Sequence, residues 1–191
     1  MPVSDVRLPG RHNIANALAA VAAARLLRVK DESITHVLKT FAGLEHRLET
    51  VTIAGGVRYV NNSMCTNPAA AIQSLQAFEP PVILITGGRE KNLPVDEYVR
   101  AIARTARSTV LVGENRQKLF DDLERLGCRS MQMADSLPAA VQMAQALARD
   151  GDVVLFSPGF ASFDSHADFQ ERGRAFKQAV RSVTNQQGLR Q

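Results

Sequence analysis

Residues 61–67, "NNSMCTN", crowd Asn61, Asn62, Ser63, Cys65, Thr66 and Asn67 between the apolar run "GVRYV" and a helix-forming stretch. Pro68 suits the first position of that helix and Asn67 its cap. So many short donors and acceptors in one turn could hold a polar ligand. "TGGREKN", 86–92, offers a second group. Gly87 and Gly88 let backbone N–H groups approach a ligand, and Lys91 brings an ammonium to an anion. The plain alternative is a glycine turn with an exposed Lys. Neither a phosphate-cradling G-x-x-x-x-G-K-[ST] loop nor a G-x-G-x-x-G occurs.

"SPGFASFDSHADFQERG", 157–173, closes a buried strand with Ser157 and sets Ser162 in a tight loop ahead of a helix expected over 164–183. That helix N-terminus could receive an anion; equally, Ser162, Asp164 or Ser165 could simply cap it. "GLEHRLE", 43–49, puts His46 and Arg47 at a junction in the chain. A guanidinium there suits phosphate or ribose, or serves structure. "RHNIAN", 11–16, places Asn13 and Asn16 three apart on one helix face, within reach of one object. Alternatively Asn13 caps the helix and Asn16 is solvated.

The elements that must position these residues follow from periodicity. Residues 11–27 predict a helix with Ile14, Leu18, Val21 and Leu26 on one face. Residues 31–41 predict a second, capped by Asp31 or Ser33, with Ile34, Val37, Leu38 and Phe41 inward. Gly43 ends this helical piece. Two short strands then flank Gly55-Gly56, a hairpin signal. Strand and helix alternate thereafter: helix 68–78, strand 81–86, helix 94–106, strand 109–113, helix 115–126, strand 129–134, helix 136–149, strand 152–157, helix 164–183. "VILIT" and "VVLF" are continuously apolar, as strands buried on both faces are. The alternation predicts a Rossmann-like α/β domain with a doubly wound, mostly parallel sheet. The domain boundaries expected are 1–43, 44–184 and a frayed polar tail over 185–191. Ligands of such sheets bind at the carboxyl ends of strands. The polar groups above, with "GEN" at 113–115 and "AD" at 134–135, fall at those ends.

Composition narrows the function classes. The 191 residues are 45% hydrophobic and 22% charged, enough for a real core. Aromatics are 5% with no Trp, and the basic residues behind the net charge of +4 are scattered, which disfavours a nucleic-acid surface. Cys65 and Cys128 form no metal-binding spacing and fit a reducing cytoplasm. No stretch approaches the roughly 18 apolar residues of a membrane span.

Taken in order, "HNIANALAA", "GLEHRLE", "NNSMCTNPAAA", "GGREK" and "SPGFASFDSHADFQERG" resemble the Mur ligase superfamily, most closely its D-glutamate-adding branch, over roughly residues 8–183. The resemblance implies the last helices of a central ATPase domain followed by the C-terminal Rossmann-like domain. It also implies an ATP- and Mg²⁺-dependent ligase adding D-glutamate to UDP-N-acetylmuramoyl-L-alanine in peptidoglycan biosynthesis, through an acyl phosphate. By position, Asn13 and Asn16 match residues near adenine. His46 and Arg47 match a pair beside the nucleotide, and Asn62 and Ser63 match an Asp-Ser pair whose Asp faces ribose. Thr66, Lys91, Ser162 and Phe169 match residues that hold the incoming glutamate, and Phe163 matches a position whose backbone helps. Two residues depart from the usual stretch: Asn62 stands where the family has Asp and Met64 where it has Lys.

This chain carries no P-loop, no Mg²⁺ ligand set and no UDP-sugar domain, so no metal site, no catalytic residue and no bound cofactor are expected for it alone. A cytoplasmic monomer with no nucleic-acid or membrane partner is expected. The alternatives are a non-catalytic Rossmann-like module for an anionic small molecule, or the same domain of another Mur or folylpolyglutamate-type ligase. A nucleic-acid binder rests on net charge alone.

Overall fold

β1 (Glu49–Ala54) and β2 (Val57–Asn61) form the expected antiparallel hairpin around Gly55-Gly56. Every other pairing in the sheet is parallel. A computed structural model of the chain describes residues 1–8, 10–79 and 81–188. These separate into two compact units, residues 1–44 and from residue 45 onward.

The second unit continues with α3 (Pro68–Leu75), β3 (Val82–Thr86), α4 (Asp96–Thr105), β4 (Ala106–Leu111), α5 (Arg116–Arg125) and β5 (Met131–Met133). It ends with α6 (Leu137–Leu147), β6 (Val153–Phe156) and α7 (Phe169–Gly188); α1 and α2 belong to the first unit. The strand order is β1-β2-β6-β3-β4-β5, so the last strand inserts between the second and third. The crossovers rightward along the sheet run through α3, α4 and α5 over one face. There Leu75, Tyr98, Ile102, Leu119 and Leu123 pack on Val60, Leu84 and Leu155. The return through α6, followed by α7, covers the other face, where Val141, Phe176 and Val180 pack on Ile83, Ile85, Val154 and Phe156. Residues of β3 alternate between these two cores, which is why "VILIT" carries no polar period.

Asn67 caps α3, its side chain accepting from Ala70 N at 2.8 Å, with Pro68 at the first position as expected. α7 starts later than the expected residue 164. Asp168 Oδ1 accepts from Glu171 N (2.7 Å) and Glu171 Oε2 accepts from Ala167 N (2.7 Å). These reciprocal caps fix the helix start and leave 162–168 as turns. α7 also continues to Gly188, where a frayed tail is expected. Its packing on α6, including Gln145 Nε2 donating to Val183 O at 3.1 Å, supports its later turns. Residues 189–191 lie outside the described residues.

The first unit holds a short 3₁₀ turn (Val3–Asp5), α1 (Arg11–Leu26) and α2 (Asp31–Thr40). No Asp31 or Ser33 cap forms: the cap position is Lys30, and Asp31 instead pairs with Arg25 at 2.9 Å. Ile14, Leu18, Val21, Ile34 and Leu38 line one groove of about 300 Å³. Two helices alone offer too little surface to close a core, so Leu18 and Leu26, expected on one apolar face, and Val37 and Phe41, expected inward, stand exposed.

The stacked pair Phe156 and Phe176, with ring centroids 4.8 Å apart, anchors α7 to the sheet. Phe176→Ala should cost about 3–5 kcal/mol in urea unfolding with an unchanged denaturant slope. A cost below about 1 kcal/mol would contradict this packing.

Candidate functional site

Loops leave β2, β6 and β3 at one edge of the sheet: Asn62–Asn67, Ser157–Asp168 and Gly87–Val95. The three strands are parallel neighbours, so the loops rise side by side. The loops after β2 and β3 run to α3 and α4 on one face, while that after β6 runs to α7 on the other. Neighbouring strands whose connections part to opposite faces open a crevice at their carboxyl ends. Backbone bonds weave its walls together. Asn62 N donates to Phe156 O (2.8 Å), Gly159 N to Cys65 O (3.0 Å) and Gly87 N to Pro158 O (3.1 Å), while Arg89 and Ala161 exchange N–H···O bonds of 3.0 and 3.1 Å. Beneath them Thr86 Oγ1 donates to Pro158 O (2.8 Å) and lies 2.7 Å from the Tyr98 hydroxyl, which burial pushes far up in pKa.

Thr66 and Lys91 line one narrow slot with Pro68, Val95, Gly159 and Phe160. At about 10 Å³ the slot holds no more than a water, so a ligand of amino-acid size would sit at its mouth. Lys91 is exposed and makes no hydrogen bond or ion pair among the described residues. The neighbouring cations are engaged: Arg89 with Glu114 at 2.9 Å and Lys118 with Glu90 at 2.7 Å. Ser162 follows Ala161, the partner of Arg89 in an isolated antiparallel bridge. It is 2% exposed, and its carbonyl accepts from Ser165 N and His166 N. It therefore does not directly precede a helix, and neither Ser162, Asp164 nor Ser165 caps α7; Asp168 does. Phe163 is exposed. Phe169 meets His46 edge-on, with ring centroids 6.2 Å apart.

The nucleotide-side expectations divide by burial. Arg47 is exposed. Asn62 is 4% exposed and spends its amide inside: Oδ1 accepts from Leu48 N (3.1 Å), and Nδ2 donates to Ser74 Oγ (2.8 Å) and Ser157 Oγ (3.1 Å). Ser63 is fully buried; its hydroxyl donates to Phe169 O (2.8 Å) and accepts from Arg172 Nε (3.1 Å). The expectation that Asn62 and Ser63 face a nucleotide thus meets side chains that shape the loop from within. His46 is also buried. Asn61 Nδ2 lies 2.9 Å from its Nδ1. Gly173 lets α7 approach this ring, since a Cβ there would lie 2.2 Å from Nδ1. In the first unit, Asn16 Nδ2 lies 3.4 Å from Asn13 Oδ1, so the two amides do meet.

Glu45, His46 and Glu49 bring three potential metal-ligand atoms within 4.8 Å of one another. Lys177 Nζ already donates to Glu45 (2.7 Å) and Glu49 (2.9 Å), making this an ion-pair network rather than a seat for Mg²⁺. The Lys177 hydrogen bond and charge hold the Glu45 carboxyl below its usual range.

A larger cleft, about 630 Å³, lies on the other face of the rim, lined by Gly88, Arg89, Arg116, Asp164, His166 and Arg172 among others. Gly87, Gly88, Asp164 and Ser165, noted in the sequence, line it, but none of the residues expected to hold nucleotide or glutamate does. Its "GEN" and "AD" borders were legible as strand ends; Arg172 carried no signal, because nothing local marks a helical Arg whose partners lie 109 positions away.

A family model described as Mur ligase, glutamate ligase domain, matches residues 46–160. The chain is 40% identical over 179 residues to the UDP-N-acetylmuramoylalanine–D-glutamate ligase of Pelotomaculum thermopropionicum, covering 94% of this chain and 39% of that one. It is 37% identical over 183 residues to the corresponding ligase of Caldicellulosiruptor bescii, covering 96% and 40%. Among solved structures, it is similar to the UDP-N-acetylmuramate-alanine ligase of Thermotoga maritima (TM-score 0.69, 20% identity, 92% of this chain and 39% of that one). It is likewise similar to the Mycobacterium tuberculosis folylpolyglutamate synthase complexed with ADP and AMPPCP (TM-score 0.66, 18% identity, 90% and 41%). These structures share its fold. The chain spans about 40% of the length of its curated relatives. No helix among the described residues is long and apolar enough to cross a membrane.

The rim depends on close backbone approach at Gly88, whose φ is +147° and where a Cβ would lie 2.4 Å from Ala161 O. Gly88→Ala should destabilise the second unit by roughly 1–3 kcal/mol in chemical unfolding. Wild-type stability would show that the Arg89–Ala161 bridge is not tight.

Proposed function

The chain belongs to the Mur ligase family, whose glutamate ligase domain it carries, and from that premise we propose that it is the amino-acid-receiving part of an ATP-dependent ligase adding D-glutamate to UDP-N-acetylmuramoyl-L-alanine. The observation that carries this reading is Lys91: a cation with no partner among the described residues, lining one slot with Thr66 at the parallel rim. One carboxylate of the incoming glutamate pairs with Lys91, a charge-assisted contact. Thr66 and Ser162 give hydrogen bonds, the Phe163 backbone assists, and Phe169 closes the side of the site. Held in this way, the amine is presented to an activated carboxylate, and positioning lowers the barrier.

On the nucleotide side, Asn13 and Asn16 meet the adenine, and Arg47 meets ribose or phosphate. His46, Asn62 and Ser63 act there by fixing the loop that bears them, in keeping with their burial. Asn62 and Met64 bring no charge to the phosphates. ATP, when bound, supplies the phosphoryl group that activates the acceptor carboxylate. Since Lys177 already occupies the acid cluster of this chain, Mg²⁺ and the phosphate cradle are assigned to the rest of the protein, as is the UDP-sugar site. Residues 1–44 are then the end of the ATPase domain. The whole acts as a cytoplasmic monomer in peptidoglycan synthesis.

The test is ADP release by the full-length protein with UDP-N-acetylmuramoyl-L-alanine and either glutamate enantiomer. D-glutamate should drive release, and Lys91→Met should raise its KM about 10- to 100-fold, the loss of one charged hydrogen bond worth ~1.5–3 kcal/mol. Equal turnover with L-glutamate, or an unchanged KM in the Lys91 variant, would overturn the assignment.

A further inference from the structure

Arg172 stands in the first turn of α7 and is 4% exposed. Burial pulls its pKa down to about 10, so it remains charged at neutral pH, and Asp164 is the carboxylate whose field supports that charge. Among the described residues it forms no ion pair; its donors go to neutral groups. Nε donates to Ser63 Oγ (3.1 Å), Nη2 to Ser63 O (3.0 Å) and Nη1 to Phe160 O (3.1 Å). The guanidinium also lies 6.0 Å from the Phe156 ring centroid. Ser63 belongs to the loop that delivers Thr66, and Phe160 to the loop that delivers Ser162. One planar fork therefore ties together two segments about a hundred residues apart in sequence.

A buried charge lacking an ion-pair partner is costly, and a neutral side chain could fill the same volume more cheaply. The charge is retained where the two amino-acid-binding loops meet. We propose that Arg172 is a positioning residue that sets the spacing between Thr66 and Ser162, and thereby the affinity for the dicarboxylic amino acid. This rests on the functional reading above, for the ligand though not for the clamp. A lysine would keep the charge but offer a point donor in place of the fork, so it loses the fixed planar geometry that spaces the Ser63 and Phe160 contacts.

Arg172→Lys in the full-length protein separates the possibilities. The KM for D-glutamate should rise at least 10-fold while the KM for ATP changes less than 2-fold, and guanidinium added to Arg172→Ala should recover part of the loss. Amide hydrogen exchange should quicken in both loops, 62–66 and 158–163, but not in α4 or α5. A fall in thermal stability with both KM values unchanged, or exchange unaltered in the two loops, would overturn the proposal. If the unaltered protein shows no D-glutamate-dependent turnover, the functional reading fails, and the exchange pattern alone decides whether the clamp exists.

Discussion

The parallel hydrogen bonds that hold β6 between β2 and β3 are the constraint on which the site depends. Thr66, Lys91 and Ser162 lie far apart in the chain, and each is carried by a loop with little structure of its own. Thr66 and Lys91 line one slot, and the loop that bears Ser162 rises beside theirs, because Val60 pairs with Leu155 and Leu155 with Leu84 in one register. A slip of one residue would turn every side chain of β6 to the opposite face and dismantle both cores. The register is protected by burial: Ile83, Leu84, Val154 and Leu155 are inaccessible to solvent.

On that frame the rim is made rigid from below. Thr86, Tyr98 and Pro158 share buried polar contacts. Asn62 joins Leu48, Ser74 and Ser157, and Arg172 joins Ser63 to Phe160. The polar residues crowded into "NNSMCTN" thus divide by task. Asn61, Asn62 and Ser63 face inward and fix the loop, Asn67 caps the helix, and Thr66 is left at the slot. Preorganisation of this kind lets a few exposed groups act without paying for their own ordering when a ligand arrives.

Much of this was legible in the chain. Gly55-Gly56 marked the hairpin, the unbroken apolar runs marked β3 and β6 as central, and the polar groups fell at the strand ends where the crevice opens. Three features were not legible, each for a physical reason. The start of α7 is not fixed by cap chemistry alone, because Ser162, Asp164, Ser165 and Asp168 are all good caps; the reciprocal bonds of Asp168 and Glu171 set it. The inward faces of α1 and α2 obeyed helical periodicity, but periodicity does not report whether enough partner surface exists to bury them. The roles of Asn62 and Arg172 depend on partners 95 and 109 positions distant, which no local pattern encodes.

The claim that Thr66 and Lys91 grip one ligand together is tested most directly by a double-mutant cycle. In the full-length protein, the D-glutamate affinities of Thr66→Val, Lys91→Met and the double variant would be compared. Two groups holding the same amino acid should show a coupling of at least about 0.5–1 kcal/mol, with the double variant losing less than the sum of the singles. Strict additivity would mean that the two side chains serve different ligands, and the account of the rim would fail.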